Sequence, residues 1–374
     1  MQDPQNAVYA NDEHEPETAA WTGKPTRREF LKSAGVFTGG FLLTAYLPGG
    51  LVFAQEDTGF ADAFKLTAQE KTTIKNRKLR IGFNMNARTD DFINSVVAGG
   101  QAAAKEYGIQ LLVGDANFDA AKQLGDIENL IEQQVDAIFM IAVDANAISP
   151  AIEKANQKNI PVIVVGGPPT RGKVSAVLNS TSYQGCLEGT RRLIQEIGGK
   201  GNIAVLSIPL ALKTIKDRER GSTDAVKGTN VRIVATQPVF SQAEALTAAQ
   251  NILESNPDLK GIFANWSRAI AGAMQAVSAA KRNVAIVGYD AEVDAMQALK
   301  SGRPASPNGL PILRSVIGQQ GLAQGRAGVD ALCKVLLGTK IPGEILVPTV
   351  VVTHTNVDRR WKELYPGRAT PWSS

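Results

Sequence analysis

From Lys78 onward the sequence alternates short apolar runs with helix-length amphipathic segments, a rhythm that restricts the chain to parallel sheets covered on both faces. Strands are expected at 79–84, 109–114, 137–143 and 161–166, with helices at 91–107, 120–133 and 147–157, which makes one doubly wound lobe. After a strand at 176–178 a second series follows, with strands at 202–208, 231–236, 261–264 and 284–289 and helices at 183–197, 215–226, 243–253 and 269–279. A helix at 291–300, a strand at 314–317, a helix at 322–337 and a strand at 345–352 complete the pattern. The fold class read from this order is α/β, with two doubly wound parallel-sheet lobes. Such sheets present their loops and helix N-termini at the carboxyl ends of the strands, so a ligand site is expected between the lobes.

The residues before this pattern read as an export signal. A polar leader is followed by Arg27-Arg28, a moderately apolar run from Ser33 to Gln55 rich in Gly and Ala, and then Val52-Phe53-Ala54, which satisfies the small-residue cleavage rule. The order matches a twin-arginine signal peptide over residues 1–54. Six Gly and Pro positions (Gly35, Gly39, Gly40, Pro48, Gly49, Gly50) make the run a poor transmembrane anchor. The working protein is therefore expected in the periplasm, exported and soluble, with the twin-arginine translocase as its partner during export. Residues 55–77 read as a polar tether or surface helix.

Charge and cysteine usage remove several function classes. Subtracting the leader's four basic and six acidic residues from the chain's 40 and 36 leaves 36 and 30. That small, scattered excess does not call for nucleic acid. Cys186 and Cys333 lie in apolar helical patterns and fall in different lobes, beyond disulfide reach, so both are expected as small buried core residues. Of the two histidines His14 lies in the leader, and the remaining His354 with two separated cysteines cannot supply the usual ligands of zinc, haem or an iron–sulfur cluster.

Catalytic constellations are absent from the sequence. The first strand runs into Phe83-Asn84-Met85-Asn86-Ala87-Arg88 rather than Gly-x-Gly-x-x-Gly, and neither a Walker-type loop nor a Gly-x-Ser-x-Gly elbow occurs. No cofactor is expected, and no enzyme. What recurs is a polar or aromatic residue at the carboxyl end of an expected strand: Asn84, then Asp91 and Phe92, Arg218, Phe240, Trp266, Asp290 and Gln319. Hydroxyl-rich ligands need this mixture of fixed donors and acceptors with flat apolar faces.

These residues carry a family resemblance. Asp91-Phe92, Ile160-Pro161-Val162-Ile163, Asp217-Arg218-Glu219-Arg220-Gly221, Ile286-Val287-Gly288-Tyr289-Asp290 and Ser315-Val316-Ile317-Gly318-Gln319 occur in the order found in periplasmic sugar-binding proteins of the ribose-binding type. From about Leu79 to Val352 the chain resembles these substrate-capturing components of ATP-driven importers. The resemblance implies a type I clamp of two lobes joined by a three-strand hinge, with a sugar held in the cleft and delivered to a membrane permease. It also implies that Phe92 and Phe240 stack on the sugar ring, that Arg218 bonds ring or hydroxyl oxygens, that Asp290 and Gln319 bond hydroxyls, and that Asn84 takes a polar position at the end of the first strand. On this pattern residues 78–178 and 319–344 form the N-terminal lobe, 179–318 and 345–356 the C-terminal lobe, and 357–374 a tail.

The chain departs from the pattern where ribose binders carry an Asp-Arg pair after the fourth strand. Here Gly166-Gly167 precedes Pro168-Pro169, removing two strong charge-assisted partners. Trp266 stands where the pattern has Asn. A hexose, deoxy sugar, polyol or glycoside therefore fits better than ribose. A chemotaxis or sensor-kinase receptor would share every residue cited, and a secreted sugar-modifying enzyme is the more distant alternative.

Overall fold

A computed structural model describes residues 58–210 and 212–372. The leader and the expected cleavage point at Ala54 lie outside the described residues.

The first lobe is built on a seven-stranded sheet. Its strands are β1 (Thr58–Phe60), β2 (Arg80–Met85), β3 (Gln110–Asp115), β4 (Ala137–Ile141), β5 (Val162–Val165), β6 (Ala176–Ser180) and β12 (Glu344–Val347). The order is β1-β12-β6-β5-β4-β2-β3, and every pairing is parallel. Helices α1 (Ala68–Arg77), α2 (Asp91–Tyr107), α3 (Ala120–Glu132) and α4 (Ser149–Gln157) connect or flank these strands. Strands β4, β5 and β6 are buried at every position, which is what helices on both faces require of a sheet's centre.

The second lobe repeats the design with β7 (Lys200–Ser207), β8 (Asn230–Pro238), β9 (Leu259–Ala264), β10 (Ala285–Tyr289), β11 (Leu313–Gly318) and β13 (Val350–Thr353). The order is β13-β11-β10-β9-β7-β8, with only β13 antiparallel to its neighbour. Helices α5 (Ser182–Glu196), α6 (Lys213–Val226), α7 (Gln242–Ser255), α8 (Ser267–Ala280) and α9 (Val293–Ser301) belong to it. Helix α10 (Gly321–Leu336) returns to the first lobe, and α11 (Val357–Leu364) packs on the second.

Three crossings join the lobes: Thr181 between β6 and α5, Gln319-Gln320 between β11 and α10, and Pro348-Thr349 between β12 and β13. They are tied to one another. Thr181 N–H donates to Val347 O at 3.0 Å, Thr349 N–H donates to Thr181 Oγ1 at 2.9 Å, and Gln320 Nε2 donates to Pro348 O at 2.8 Å.

Two glycine contacts position the site-bearing helices. A Cβ at Gly325 of α10 would run into the Val96 carbonyl, and one at Gly99 of α2 into that of Leu322, so these helices cross in backbone contact. In the second lobe Gly221 plays the same part against Tyr183, seating α6 on α5.

Several expected boundaries need correction. The strand expected at 345–352 is two strands: Glu344–Val347 pairs in the first sheet and Val350–Thr353 in the second. Pro348 breaks it, having no N–H to continue a ladder. Residues 345–347 therefore belong with the N-terminal lobe, as do Asn179 and Ser180 at the end of β6. Residues 58–77 are part of that lobe rather than a tether. β1 pairs with β12, Ile74 is fully buried, and α1 opens with a Thr67–Glu70 capping box whose Glu70 also receives Lys334 Nζ at 2.7 Å. Nor are residues 357–364 a tail, since Val357, Trp361 and Leu364 are buried in the second-lobe core. Cys186 lies on α5 and Cys333 on α10, both buried and unpaired with each other.

Candidate functional site

The second lobe supplies a buried charged group at the carboxyl ends of its strands. Arg218 projects from α6, is 7% exposed, lies 3.9 Å over the Tyr289 ring, and donates through Nη1 to Asn265 O at 3.0 Å. The same nitrogen is 3.7 Å from Asp290 Oδ2, whose other oxygen accepts from Gln319 Nε2 at 2.7 Å. Asp290 sits in the left-handed region with φ of 80°, which short polar side chains tolerate, and this turns its carboxylate toward Gln319 and Arg218. Burial pushes the Asp290 carboxyl up from its ordinary value, and Arg218 and Gln319 offset that only in part.

Three buried donors at this spot have no partner among the described residues: Arg218 Nε, Asn265 Nδ2 and Trp266 Nε1. A buried donor left unpaired costs roughly 1–3 kcal/mol, so such a cluster marks a place built to receive acceptors.

The first lobe presents the N-terminus of α2. Asp90 caps it, accepting from Ile93 N–H at 2.8 Å. Asp91 reaches across to the second lobe, where its Oδ2 accepts from Val293 N–H at 3.3 Å and its Oδ1 from Arg368 Nη1 at 2.9 Å. Phe92 lines a small cavity together with Asp290, Glu292, Gln319 and Tyr365, so both lobes meet around one point.

Acidic charge accumulates here. Burial pushes the Asp90 carboxyl up to about 6, with the Ile93 N–H opposing the rise and the Asp290 charge adding to it. Burial, then the charges of Asp290 and Asp90, push Glu292 up to about 8. Arg268, on α8, donates to Thr89 Oγ1 at 3.5 Å, and its charge opposes the rise at Asp90.

An aromatic group occupies the other part of the cleft. Phe240 and Trp266 are tilted against each other with ring centroids 6.1 Å apart, and Trp266 directly follows Asn265, the residue held by Arg218. Phe118 of the first lobe stands edge-on to Phe240 at 5.9 Å.

The structure thus brings together Phe92, Arg218, Phe240, Trp266, Asp290 and Gln319. It gives Asp91 a lobe-to-lobe contact. It does not bring in Asn84, which corrects the sequence reading. Asn84 is fully buried, accepts from Gln123 Nε2 at 2.9 Å and donates to Asp126 Oδ2 at 3.3 Å. Strand alternation points it toward α3, away from the cleft.

Sequence reasoning missed Asp90, Phe118, Arg268, Glu292 and Arg368. Phe118 and Glu292 follow the carboxyl ends of β3 and β10, where the same rule would have found them. Arg368 carried no local signal, because it lies four residues beyond α11. Among the described residues no group of His, Cys, Asp and Glu is placed to hold a metal ion. The chemistry on offer is hydrogen bonding by fixed donors and acceptors, and stacking.

Two similar α/β lobes, three tied crossings and a polar and aromatic cleft between them define a type I bilobal binding protein. The chain belongs to the periplasmic binding protein domain family, whose model matches residues 81–340. It is 27% identical over 289 residues to the ribose import binding protein of Bacillus subtilis, covering 76% of this chain and 91% of that protein. It is 28% identical over 271 residues to the xylitol-binding protein of Mycolicibacterium smegmatis, covering 71% and 75%. A crystal structure of an ABC transporter periplasmic solute binding protein from Actinobacillus succinogenes with bound D-allose superposes with a TM-score of 0.67 at 26% identity, covering 75% of this chain and all of that one. No helix among the described residues is long and apolar enough to cross a membrane.

Proposed function

We propose that this protein captures a sugar or polyol between its lobes outside the cytoplasm and delivers it to the membrane permease of an ABC importer. The observation that carries this reading is the convergence of Arg218, Asp290 and Gln319 with Phe92, Phe240 and Trp266 where the lobes meet. Charged donors and acceptors select hydroxyls, and the rings cover the C–H face of the ligand. Relatives named for ribose and xylitol, and a solved structure with bound D-allose, support this chemistry without selecting among its members. A hexose, deoxy sugar, polyol or glycoside fits Gly166-Gly167 and Trp266 better than ribose.

The cycle needs no bond made or broken. Ligand bridging both lobes supplies the free energy that favours the closed arrangement, and the hinge crossings absorb the rotation. Export by the twin-arginine translocase, with cleavage after Ala54, places the protein in the periplasm.

A thermal-shift screen against pentoses, hexoses, deoxy sugars, glycosides, polyols and nicotinamide cofactors tests the reading, with calorimetry on each hit. A ligand at a hundred times its dissociation constant adds about 2.7 kcal/mol, an easily read shift. Stabilisation by a sugar recovered unchanged is the expected result. Consumption of the sugar, or a shift with a nicotinamide cofactor alone, would defeat the reading.

A further inference from the structure

The loop after β3 holds an aromatic residue in a conformation that aromatics seldom adopt. Asn117 and Phe118 have φ of 51° and 59°, and for a bulky side chain the left-handed region is an outlier. The loop is held there from several sides. Phe118 N–H donates to Asn86 O at 2.7 Å, Asn117 N–H to Asp115 Oδ1 at 2.9 Å, and Asp119 caps α3 by accepting from Lys122 N–H at 2.9 Å. The strained backbone leaves Phe118 36% exposed rather than seated in the core. Its effect is to set the Phe118 ring edge-on to Phe240, itself 36% exposed, across the space between the lobes. With Trp266 behind Phe240, three rings line one end of the cleft, one from the first lobe and two from the second. Strain that exposes an aromatic toward a cleft is the pattern of a functional position.

The two ends of the cleft differ in chemistry. At one end Arg218, Asp290, Gln319, Asp90 and Glu292 offer charge and hydrogen bonds; at the other stand three aromatic faces and edges. At the aromatic end Trp266 Nε1 is buried and without a partner among the described residues, and the Arg268 guanidinium lies 5.5 Å from the centre of the Trp266 ring. A hydroxyl pressed against the Phe118 and Phe240 rings would lose its water with no donor on either ring to replace it, whereas a methyl group would lose nothing.

We propose that Phe118 is a specificity-determining residue, and that the cleft selects a sugar or polyol bearing an apolar substituent (a deoxy methyl, an O-methyl or a glycosidic group) lodged among Phe118, Phe240 and Trp266. The Trp266 indole N–H donates to an oxygen beside that substituent. This rests on the sugar-binding reading and narrows it to a class.

The test is calorimetry on matched pairs: D-galactose with D-fucose, L-mannose with L-rhamnose, and D-glucose with methyl β-D-glucoside, with ribose and xylitol alongside. The wild-type protein binds the apolar member of at least one pair about ten-fold or more tightly than its parent, the size of effect one methyl group has in an apolar pocket. Phe118→Gly suits the left-handed backbone and keeps the melting temperature of the unliganded protein, so lost folding cannot explain its result. It brings the ratio within each pair toward one, while Phe118→Leu retains most of it. Preference for the fully hydroxylated members, binding of ribose or xylitol alone, or equal weakening of both members by Phe118→Gly would overturn the role of Phe118 and leave sugar binding standing. No shift with any of these compounds would overturn both.

Discussion

The pairing of Arg218 with Asp290 gives the sharpest quantitative prediction. At 3.7 Å the Coulomb attraction is about 4–5 kcal/mol for an effective dielectric of 20, before either charge's desolvation is subtracted. The pair is nearly removed from water, with side chains 9% and 12% exposed. Arg218→Met leaves Asp290 with Gln319 and the Ser267 N–H but no cation, which favours uptake of a proton by the carboxyl. Asp290→Asn keeps the left-handed backbone, which Asn also tolerates, and leaves Arg218 with the Asn265 carbonyl and the Tyr289 ring. Each single change should cost about 2–3 kcal/mol, below the usual figure for a broken buried pair because both partners keep other contacts. In a protein of this size that lowers the melting temperature by roughly 3–5 °C. The double variant Arg218→Met/Asp290→Asn should recover about 1.5–2 kcal/mol of the summed loss, measured by urea unfolding without ligand. Single losses under about 0.5 kcal/mol, or coupling near zero, would refute the claim that these charges sustain each other.

Three further outcomes are expected. Arg368→Ala removes a lobe-to-lobe ion pair whose side chains are 51% and 26% exposed, so the loss is about 0.5–1 kcal/mol and the sugar dissociation constant rises roughly two- to five-fold; unchanged affinity and unchanged small-angle scattering would discount the contact. Asp90 and Glu292 are raised in the described structure to about 6 and about 8, so the folded protein holds protons which free carboxyls have lost. Its unliganded stability therefore falls as pH rises from about 4 to about 8, and Asp90→Asn with Glu292→Gln should flatten the melting temperature over that window. Asn84→Ala leaves Gln123 short of a partner in a buried network and lowers stability by about 1–2 kcal/mol, but sugar affinity measured by calorimetry stays as in the wild type.

Local pattern was enough for the two lobes and for most of the group around Arg218. Parallel strands buried on both faces must be apolar runs, and helices between them must be amphipathic, so this information lies along the chain where it can be read. The carboxyl end of a strand is likewise a local address, which is why Phe92, Arg218, Phe240, Trp266, Asp290 and Gln319 were visible before any coordinates. Other features depend on residues far apart in sequence. Asn84 ends the first strand as expected, yet Gln123 and Asp126 on the neighbouring helix take its hydrogen bonds. Asp91 looked like a ligand contact and instead meets Arg368, 277 positions later. The apolar run at 345–352 could not reveal that Pro348 divides it between two sheets, because each half has the same composition and only the partners differ. Periodicity along the chain therefore determined what each element is and which end of it carries chemistry. Tertiary structure decided which of those side chains share a site, because burial, hydrogen-bond partners and charge neighbours are set by the meeting of two lobes.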